Sequence, residues 1–354
     1  MKANRTRTRA FLRPAPLAGF AIFAFLPGLL LLAACIYGGA WVWVSLIWIG
    51  GGSQLLDALL ARRFADPVAD EAPGANLLSV CLALMHFILL PMGLAALTAP
   101  ALGVAGKIAL FLALGMFFGQ ISNSNAHELI HRGRRDLFRL GAAIYVSLLF
   151  GHHTSAHRLV HHRHVATPLD PNTARLGESF WRFFPRAWLG SFRAGFEAER
   201  ARGDGRYRIN PYLIWTGGAL ICCIAVFFWL GASGLLTYVA LCLYAHMQLM
   251  LSDYVQHYGL LRAKLENGRY APVGPAHSWD APHFLSSLMM VNAPRHSDHH
   301  AHPGREYPVL RLQVQENPRP MLPYSLPLMA AIATVPPFWR RVMDKRVARM
   351  REIA

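Results

Sequence analysis

Three stretches of the chain go without acidic or basic side chains for longer than a soluble helix does. Residues 14–56 contain no Asp, Glu, Lys or Arg, 209–252 contain none, and 72–126 contain only Lys107. Each exceeds the roughly 20 apolar residues that cross the hydrocarbon core of a bilayer. A helix covering a soluble core would show a polar face at every turn, and these segments show none. The pattern predicts an all-α integral membrane protein with six transmembrane helices in three hairpins, at about 15–36, 39–61, 77–98, 101–123, 212–232 and 235–255. The turns Tyr37-Gly-Gly39, Thr98-Ala-Pro100 and Gly231-Ala-Ser-Gly234 are short and uncharged, as exported loops are.

Two further apolar stretches fall short of a span. Residues 137–151 are too few to cross and predict a buried or re-entrant helix. Residues 321–339 are interrupted by Pro323, Pro327, Pro336 and Pro337 and predict a surface-docked segment, followed by a basic tail suited to anionic headgroups. No internal repeat marks a boundary, so 1–354 reads as a single membrane-embedded domain.

Composition agrees: 54% of residues are hydrophobic and the mean hydropathy is +0.29. The first apolar run is too long, and too soon followed by a second, for a cleaved signal peptide. The net charge of +16 is informative through its location. Lys2, Arg5, Arg7, Arg9 and Arg13 precede the first span, Arg62 and Arg63 follow the second, and Arg132, Arg134 and Arg135 follow the fourth. Lys and Arg in short flanks mark the cytoplasmic side, and no nucleic-acid-binding module accompanies them. Both termini and the segments 1–13, 62–75, 124–210 and 256–354 are thereby expected on the cytoplasmic face of the inner membrane. The five cysteines, Cys35, Cys81, Cys222, Cys223 and Cys242, all lie in apolar segments with no C-x-x-C pair, and read as small core residues.

Nine histidines in four clusters fall on that same face, as a cytoplasmic cap. His127 and His131 stand at i, i+4 and project from one helix face towards one metal. His157 and His161 repeat that spacing, with His162 turned about 100° away, so that the triple can serve two metals. His296, His299 and His300 stand at i, i+3 and i+4, again one face, and His257 ends the sixth span. His302 precedes Pro303, where the helix should stop. The His-Glu-Leu-Ile-His motif has the spacing of zinc proteases but not their context. Imidazole-rich open coordination suits iron, copper or zinc, so the chemistry points to a dinuclear transition-metal site without naming the metal.

His127-Glu-Leu-Ile-His131, Gln256-His-Tyr-Gly-Leu260, Arg295-His-Ser-Asp-His-His-Ala301 and Val165-Ala-Thr-Pro-Leu-Asp-Pro171 resemble the signature boxes of integral-membrane alkane monooxygenases, within the non-haem di-iron hydroxylase and desaturase superfamily. The resemblance runs from about 123 to 310, and the six-span plan fits that family. It departs at Ala156 and Val160 in the second box and at Asp253 and Gln256 near the third, which marks a divergent member. The resemblance implies two irons held by His127, His131, His157, His161, His162, His257, His296, His299 and His300, with O2 as co-substrate. It implies cytoplasmic catalytic segments at 124–210 and 256–310; where the chain departs from the family's carboxylates, Asp170, Asp253 and Asp298, with Glu128, are the residues expected to orient the ligands. The remaining His86, His152, His153, His164, His246, His277, His283 and His302 are assigned other roles.

The implied reaction is O2-dependent hydroxylation of an unactivated C–H bond of a hydrophobic small molecule, foremost the terminal carbon of an n-alkane. Aromatics such as Trp41, Trp43, Trp48, Phe111, Phe117 and Phe118 are available to wall a channel from the bilayer. With no G-x-G-x-x-G and no cysteine set for an iron–sulfur or rubredoxin centre, electrons are expected from a separate rubredoxin or ferredoxin with its reductase, steered by basic residues including Arg132, Arg134, Arg135, Arg193, Arg200 and Arg202. Three alternatives share parts of this pattern. An acyl desaturase or lipid hydroxylase would usually carry eight histidines, without a partner for His257. An aryl-methyl monooxygenase would differ only in substrate. A metal transporter would place ionisable residues along its spans, where this chain offers only His86, Lys107 and His246.

Overall fold

The computed structural model describes residues 11–12, 16–60, 63–64, 71–203, 209–312 and 319–352. The basic flank Lys2, Arg5, Arg7, Arg9 and Arg13, and Arg62 after the second span, lie outside the described residues. Twelve helices among the described residues build the fold. Four open the chain: α1 (Leu17–Tyr37), α2 (Ala40–Leu60), α3 (Ala75–Thr98) and α4 (Val104–Ile130). They are followed by α5 (Arg135–Ser147), α6 (153–164), α7 (Phe180–Ala201) and α8 (Tyr212–His257). The last four are short or peripheral: α9 (Phe284–Met289), α10 (His296–Ala301), α11 (Leu326–Ala333) and α12 (Pro336–Arg351). The only described ladder is a parallel pair of two-residue strands, β1 (Phe11–Leu12) and β2 (Arg63–Phe64).

Five of these helices, α1, α2, α3, α4 and α8, are long and apolar enough to cross a membrane. Their outer faces are apolar too: Leu213, Ile214, Leu220, Ile221 and Phe228 of α8 are all exposed, a surface suited to lipid rather than water. The chain is a multi-pass membrane protein. The α1–α2 hairpin closes on Gly38 and Gly39, with φ of 62° and 52°, left-handed backbone that glycine adopts without a Cβ clash.

Two expected boundaries shift. Helix α4 continues past 123 to Ile130, because its polar residues Ser124, Asn125 and Glu128 are buried by neighbouring helices. Hydropathy therefore stops before the helix does, and His127 rides on the span itself. Helix α8 forms one 46-residue run over both expected spans, broken by non-helical backbone at Gly231 (φ 68°, ψ −167°).

The short helix expected within 137–151 is α5, buried against the end of α4. A Cβ on Gly141 would stand 2.7 Å from Leu129 Cβ and 2.8 Å from the Ala126 carbonyl, so this contact requires glycine. The C-terminus of α5 leaves carbonyls that need donors. Tyr238 donates to the Ser147 carbonyl at 2.5 Å, and a His246 ring nitrogen meets the Leu148 carbonyl at 2.6 Å. His86 ties α3 to α4 and α5 through Ser122 (3.1 Å) and Ser147 (2.8 Å). These in-span histidines satisfy buried hydrogen bonds.

The expectation of a surface-docked 321–339 does not hold. Met329 and Ala333 of α11 and Trp339 and Met343 of α12 are fully buried. Pro327 and the Pro336–Pro337 pair open helices, where a missing N–H costs nothing, so these prolines start elements that enter the core. Asp57 of α2 accepts hydrogen bonds from the Leu285 and Ser286 amides at 2.5 and 3.0 Å, holding the start of α9.

Gly141→Ala should destabilise the protein by about 1–3 kcal/mol, the usual cost of overpacking. Gly217→Ala, where a Cβ meets nothing within 4 Å, should be near neutral. Unfolding midpoints of the two variants in one detergent check the difference, and equal midpoints would contradict the packing.

Candidate metal centre

The ends of α4 and α8 meet α6 and α10, and the side chains at that junction are histidines. Two groups form, within each of which the nearest ring nitrogens all lie within 4.8 Å of one another: His127, His131, His157, His162 and His299, and then His161, His257, His296 and His300. The structure thus brings together all nine clustered histidines. The groups abut, with the His162 and His300 ring centroids 4.6 Å apart.

Their division differs from what helical spacing predicts. That spacing would give His157 and His161 one face and one metal, but they fall in different groups, and His157 joins His162. The cause is local: 157–161 is a π-helical turn, whose wider winding aligns residues five apart rather than four. A second π turn, Phe117–Ser122 in α4, precedes His127. In α10, His296 and His300 share one group while His299 points to the other, so the predicted single face also divides. His127 and His131, and likewise His296 and His300, stay paired as their i, i+4 spacing suggests.

Burial holds the imidazoles of His131, His157, His162, His296, His299 and His300 well below the ordinary value of 6.5, and neighbouring histidines lower them further. They are neutral at physiological pH, the form that ligates metal. Five Nε2–Nε2 approaches lie at 2.7, 2.9, 3.0, 3.2 and 3.1 Å. Two nitrogens each about 2.1 Å from one ion, at a right angle, stand about 3.0 Å apart. Hydrogen bonding does not account for the set. His157 Nε2 faces both His127 and His162, and His296 Nε2 faces both His257 and His300, while one N–H can serve one lone pair. His131 Nε2 and His161 Nε2 are buried without any hydrogen-bond partner. The donor set fits two transition-metal ions.

Of the carboxylates expected to orient ligands, Asp170 bonds one directly: its Oδ2 lies 2.9 Å from His161 Nδ1. Burial opposes protonation of His161, but Asp170 outweighs it and raises the imidazole's pKa. Asp170 is itself held by the Asn172 amide (3.0 Å) and Thr173 Oγ1 (2.8 Å). With Nδ1 donating to Asp170, the Nε2 lone pair of His161 is aimed into its group. Asp253 connects one step further out, accepting from Asn172 Nδ2 at 2.6 Å. Glu128 pairs with Arg132 and accepts the Tyr307 amide at 2.8 Å, bracing α4. Asp298 binds His302 Nδ1 (3.1 Å), Arg305 (2.7 Å) and the Arg311 amide (2.8 Å), bracing the chain beyond α10.

Sequence reasoning missed Asp280, which accepts from the Ser297 amide (2.9 Å) and Ser297 Oγ (2.6 Å) and so fixes the first turn of α10. Nothing in its context, Trp279-Asp-Ala281, signals that role. The neighbouring Ser278 Oγ lies 3.5 Å from His257 Nδ1. His153 also proves closer than expected, its ring 5.1 Å from that of His157. A cavity adjoins the cluster, reached by His127, His157 and His296 and lined further by Asn123, Asp253 and Met290. Trp41 and Trp43, expected near a channel, are 44% and 46% exposed and face outward.

Asp170→Asn should weaken retention of metal by about 10–100-fold, as loss of a ligand's orienting partner commonly does. Metal content after dialysis against graded chelator, compared with wild type, checks this. Unchanged retention would leave Asp170 no part in aligning His161.

A profile of the fatty acid desaturase family matches residues 102–332. Alkane 1-monooxygenase of Ectopseudomonas oleovorans is 35% identical over 318 residues, covering 86% of this chain and 77% of that protein. Alkane 1-monooxygenase 1 of Alcanivorax borkumensis is 32% identical, covering 86% of this chain and 78% of its own length. More distant is the xylene/toluene monooxygenase hydroxylase component XylM of Pseudomonas putida, 26% identical over 87% of this chain and 83% of that protein. The chain belongs to the fatty acid desaturase family, as a divergent member of its alkane monooxygenase branch.

Proposed function

We propose that this oxidoreductase is a di-iron monooxygenase that hydroxylates an unactivated C–H bond of a hydrophobic substrate, foremost the terminal carbon of an n-alkane. The observation that carries the reading is the pair of all-imidazole groups, five and four side chains, meeting at the end of the spans. His127, His131, His157, His162 and His299 would hold one ion, and His161, His257, His296 and His300 the other. Bound iron supplies the redox chemistry that activates O2. The protein supplies position: the cavity beside His127, His157 and His296 would hold the reacting carbon against the site, and the buried helix ends exclude bulk water from it.

The described cysteines lie in the spans, and we read the electron donor as an iron–sulfur or rubredoxin-type protein. Its docking face is narrower than the sequence suggests, because Arg132 is withdrawn into its pair with Glu128 and Arg134 is paired with Asp136. For topology, we read α8 as two spans. A straight helix of 46 residues would reach about 69 Å, more than twice the hydrocarbon core, and the backbone at Gly231 supplies the turn. Six spans then put both termini and the histidines on the cytoplasmic side of the inner membrane, within a single domain.

Product analysis by mass spectrometry after feeding C8–C16 alkanes, p-xylene or fatty acids to an expressing host tests the reaction and separates alkane from aryl-methyl and acyl substrates. His299→Ala and His300→Ala, one in each group, should lose iron and abolish turnover, while His302→Ala, a partner of Asp298, should keep most of both. Wild-type turnover in His300→Ala would overturn the ligand set. Reporter fusions after Arg63, Arg206 and Ala354 should all fluoresce as green fluorescent protein and stay inactive as alkaline phosphatase. Phosphatase activity at any of the three would refute the topology.

A further inference from the structure

A second cavity, of about 790 Å³, lies between α5, α6, α7 and the start of α8, away from the substrate-side cavity. Its walls divide sharply by chemistry. On α5, Arg135, Arg139, Ala142, Ala143 and Val146 face it, positions that recur on one helix face. That face is cationic for its first turn and apolar afterwards. Trp215 and Gly218 of α8 continue the apolar wall, and Arg158 and Arg202 complete the cationic rim.

The rim holds four arginines against one carboxylate, Glu199, which is already engaged by Ser155 Oγ at 2.8 Å and by Arg202 at 3.6 Å. Among the described residues, the side chains of Arg135, Arg139 and Arg158 make neither a hydrogen bond nor an ion pair; the Arg158 guanidinium lies over the Phe138 ring, 4.9 Å from its centroid. Arg135 and Arg139 also sit at the N-terminal end of α5, where the helix dipole favours negative charge rather than positive. One independent observation marks the interior: Thr154 Oγ1 is buried, lines the cavity and has no hydrogen-bond partner.

We propose that this cavity binds an anionic phospholipid, its phosphate held by Arg135, Arg139 and Arg158 and one acyl chain laid along Ala142, Val146, Trp215 and Gly218. The ligand must carry both halves. A free anion would leave the apolar wall bare, and a neutral lipid would leave the arginines unpaired. The cavity borders the lipid-exposed Ile214 at the head of α8, the level at which basic pockets between membrane helices meet anionic headgroups. Arg158 and Thr154 lie on α6, the helix that carries His157, His161 and His162. An occupied site would therefore brace the helix that carries them. The proposal rests on the chain's residence in a bilayer and not on the identity of its reaction.

The test reconstitutes full-length protein in nanodiscs of equal phosphatidylglycerol and phosphatidylcholine, extracts it in mild detergent, and reads retained lipid by native mass spectrometry. Wild type should retain one phosphatidylglycerol per chain with at least tenfold preference. The Arg135→Gln/Arg139→Gln double variant, at exposed positions that leave the core intact, should lose that preference. Arg193→Gln/Arg200→Gln, removing two cations outside the cavity, should keep it. Ala143→Phe, which fills the apolar half, should also reduce retention, whereas an excess of inorganic phosphate should not displace the lipid. Equal retention of the two lipids overturns the proposal. So does displacement by phosphate alone, or a double variant that keeps its phosphatidylglycerol and loses only electron delivery from the redox partner.

Discussion

The structure depends on holding nine imidazoles in one buried place where they cannot satisfy one another. His157 Nε2 and His296 Nε2 each face two other imidazole nitrogens at 2.7 to 3.1 Å, so lone pairs confront lone pairs. Left to themselves, side chains in this position would swing apart or protonate, and both escapes are closed. Burial opposes protonation, and the helices that carry the rings are fastened independently of them. Asp280 fixes the start of α10, the Ser278–Trp279 segment fastens the end of α8, and Gly141 lets α5 lie directly on the end of α4. The convergence is built into the backbone, and bound cations would resolve the conflict that it creates.

The π turns carry much of that construction. An α-helical 157–162 would send His157 and His161 to one ion and leave His162 aside. The wider turn lets consecutive histidines His161 and His162 serve different groups while His157 and His162 converge. One short helix thus contributes to both sites, and α10 does the same through His299 on one side and His300 on the other. The separation of the two histidine groups is thereby set by shared helices.

The multi-pass helical character and the convergence of the nine histidines were legible in the sequence because both rest on strong local signals. An uncharged run of more than 20 residues has no face to offer water, and histidines at three- and four-residue spacing after span ends are conspicuous. The division of the cluster was not legible, because the α-to-π change at 157–161 is a response to packing that no residue in His157-Arg-Leu-Val-His161 announces. Asp280 stayed hidden for a related reason, since it acts across the fold on Ser297. The prolines near 327 and 336 misled because the same residue stops a helix from within and starts one at its first turn.

Charge completes the account. Nine imidazoles bring no negative charge, so two divalent ions would add four positive charges to a buried site. Most nearby carboxylates are already answered by arginine: Glu128 by Arg132, Glu178 by Arg186, Asp280 by Arg319 and Asp298 by Arg305. Among the described residues Asp170 and Asp253 are the exceptions. They are joined through Asn172, which donates its amide to one and its side-chain nitrogen to the other, and the chain of contacts ends on His161. The one direct carboxylate contact to a clustered histidine in this chain of contacts therefore falls in the four-histidine group, at His161. The two histidine groups are thus inequivalent, five side chains in one and four in the other, with Asp170 bonded directly to a member of the smaller.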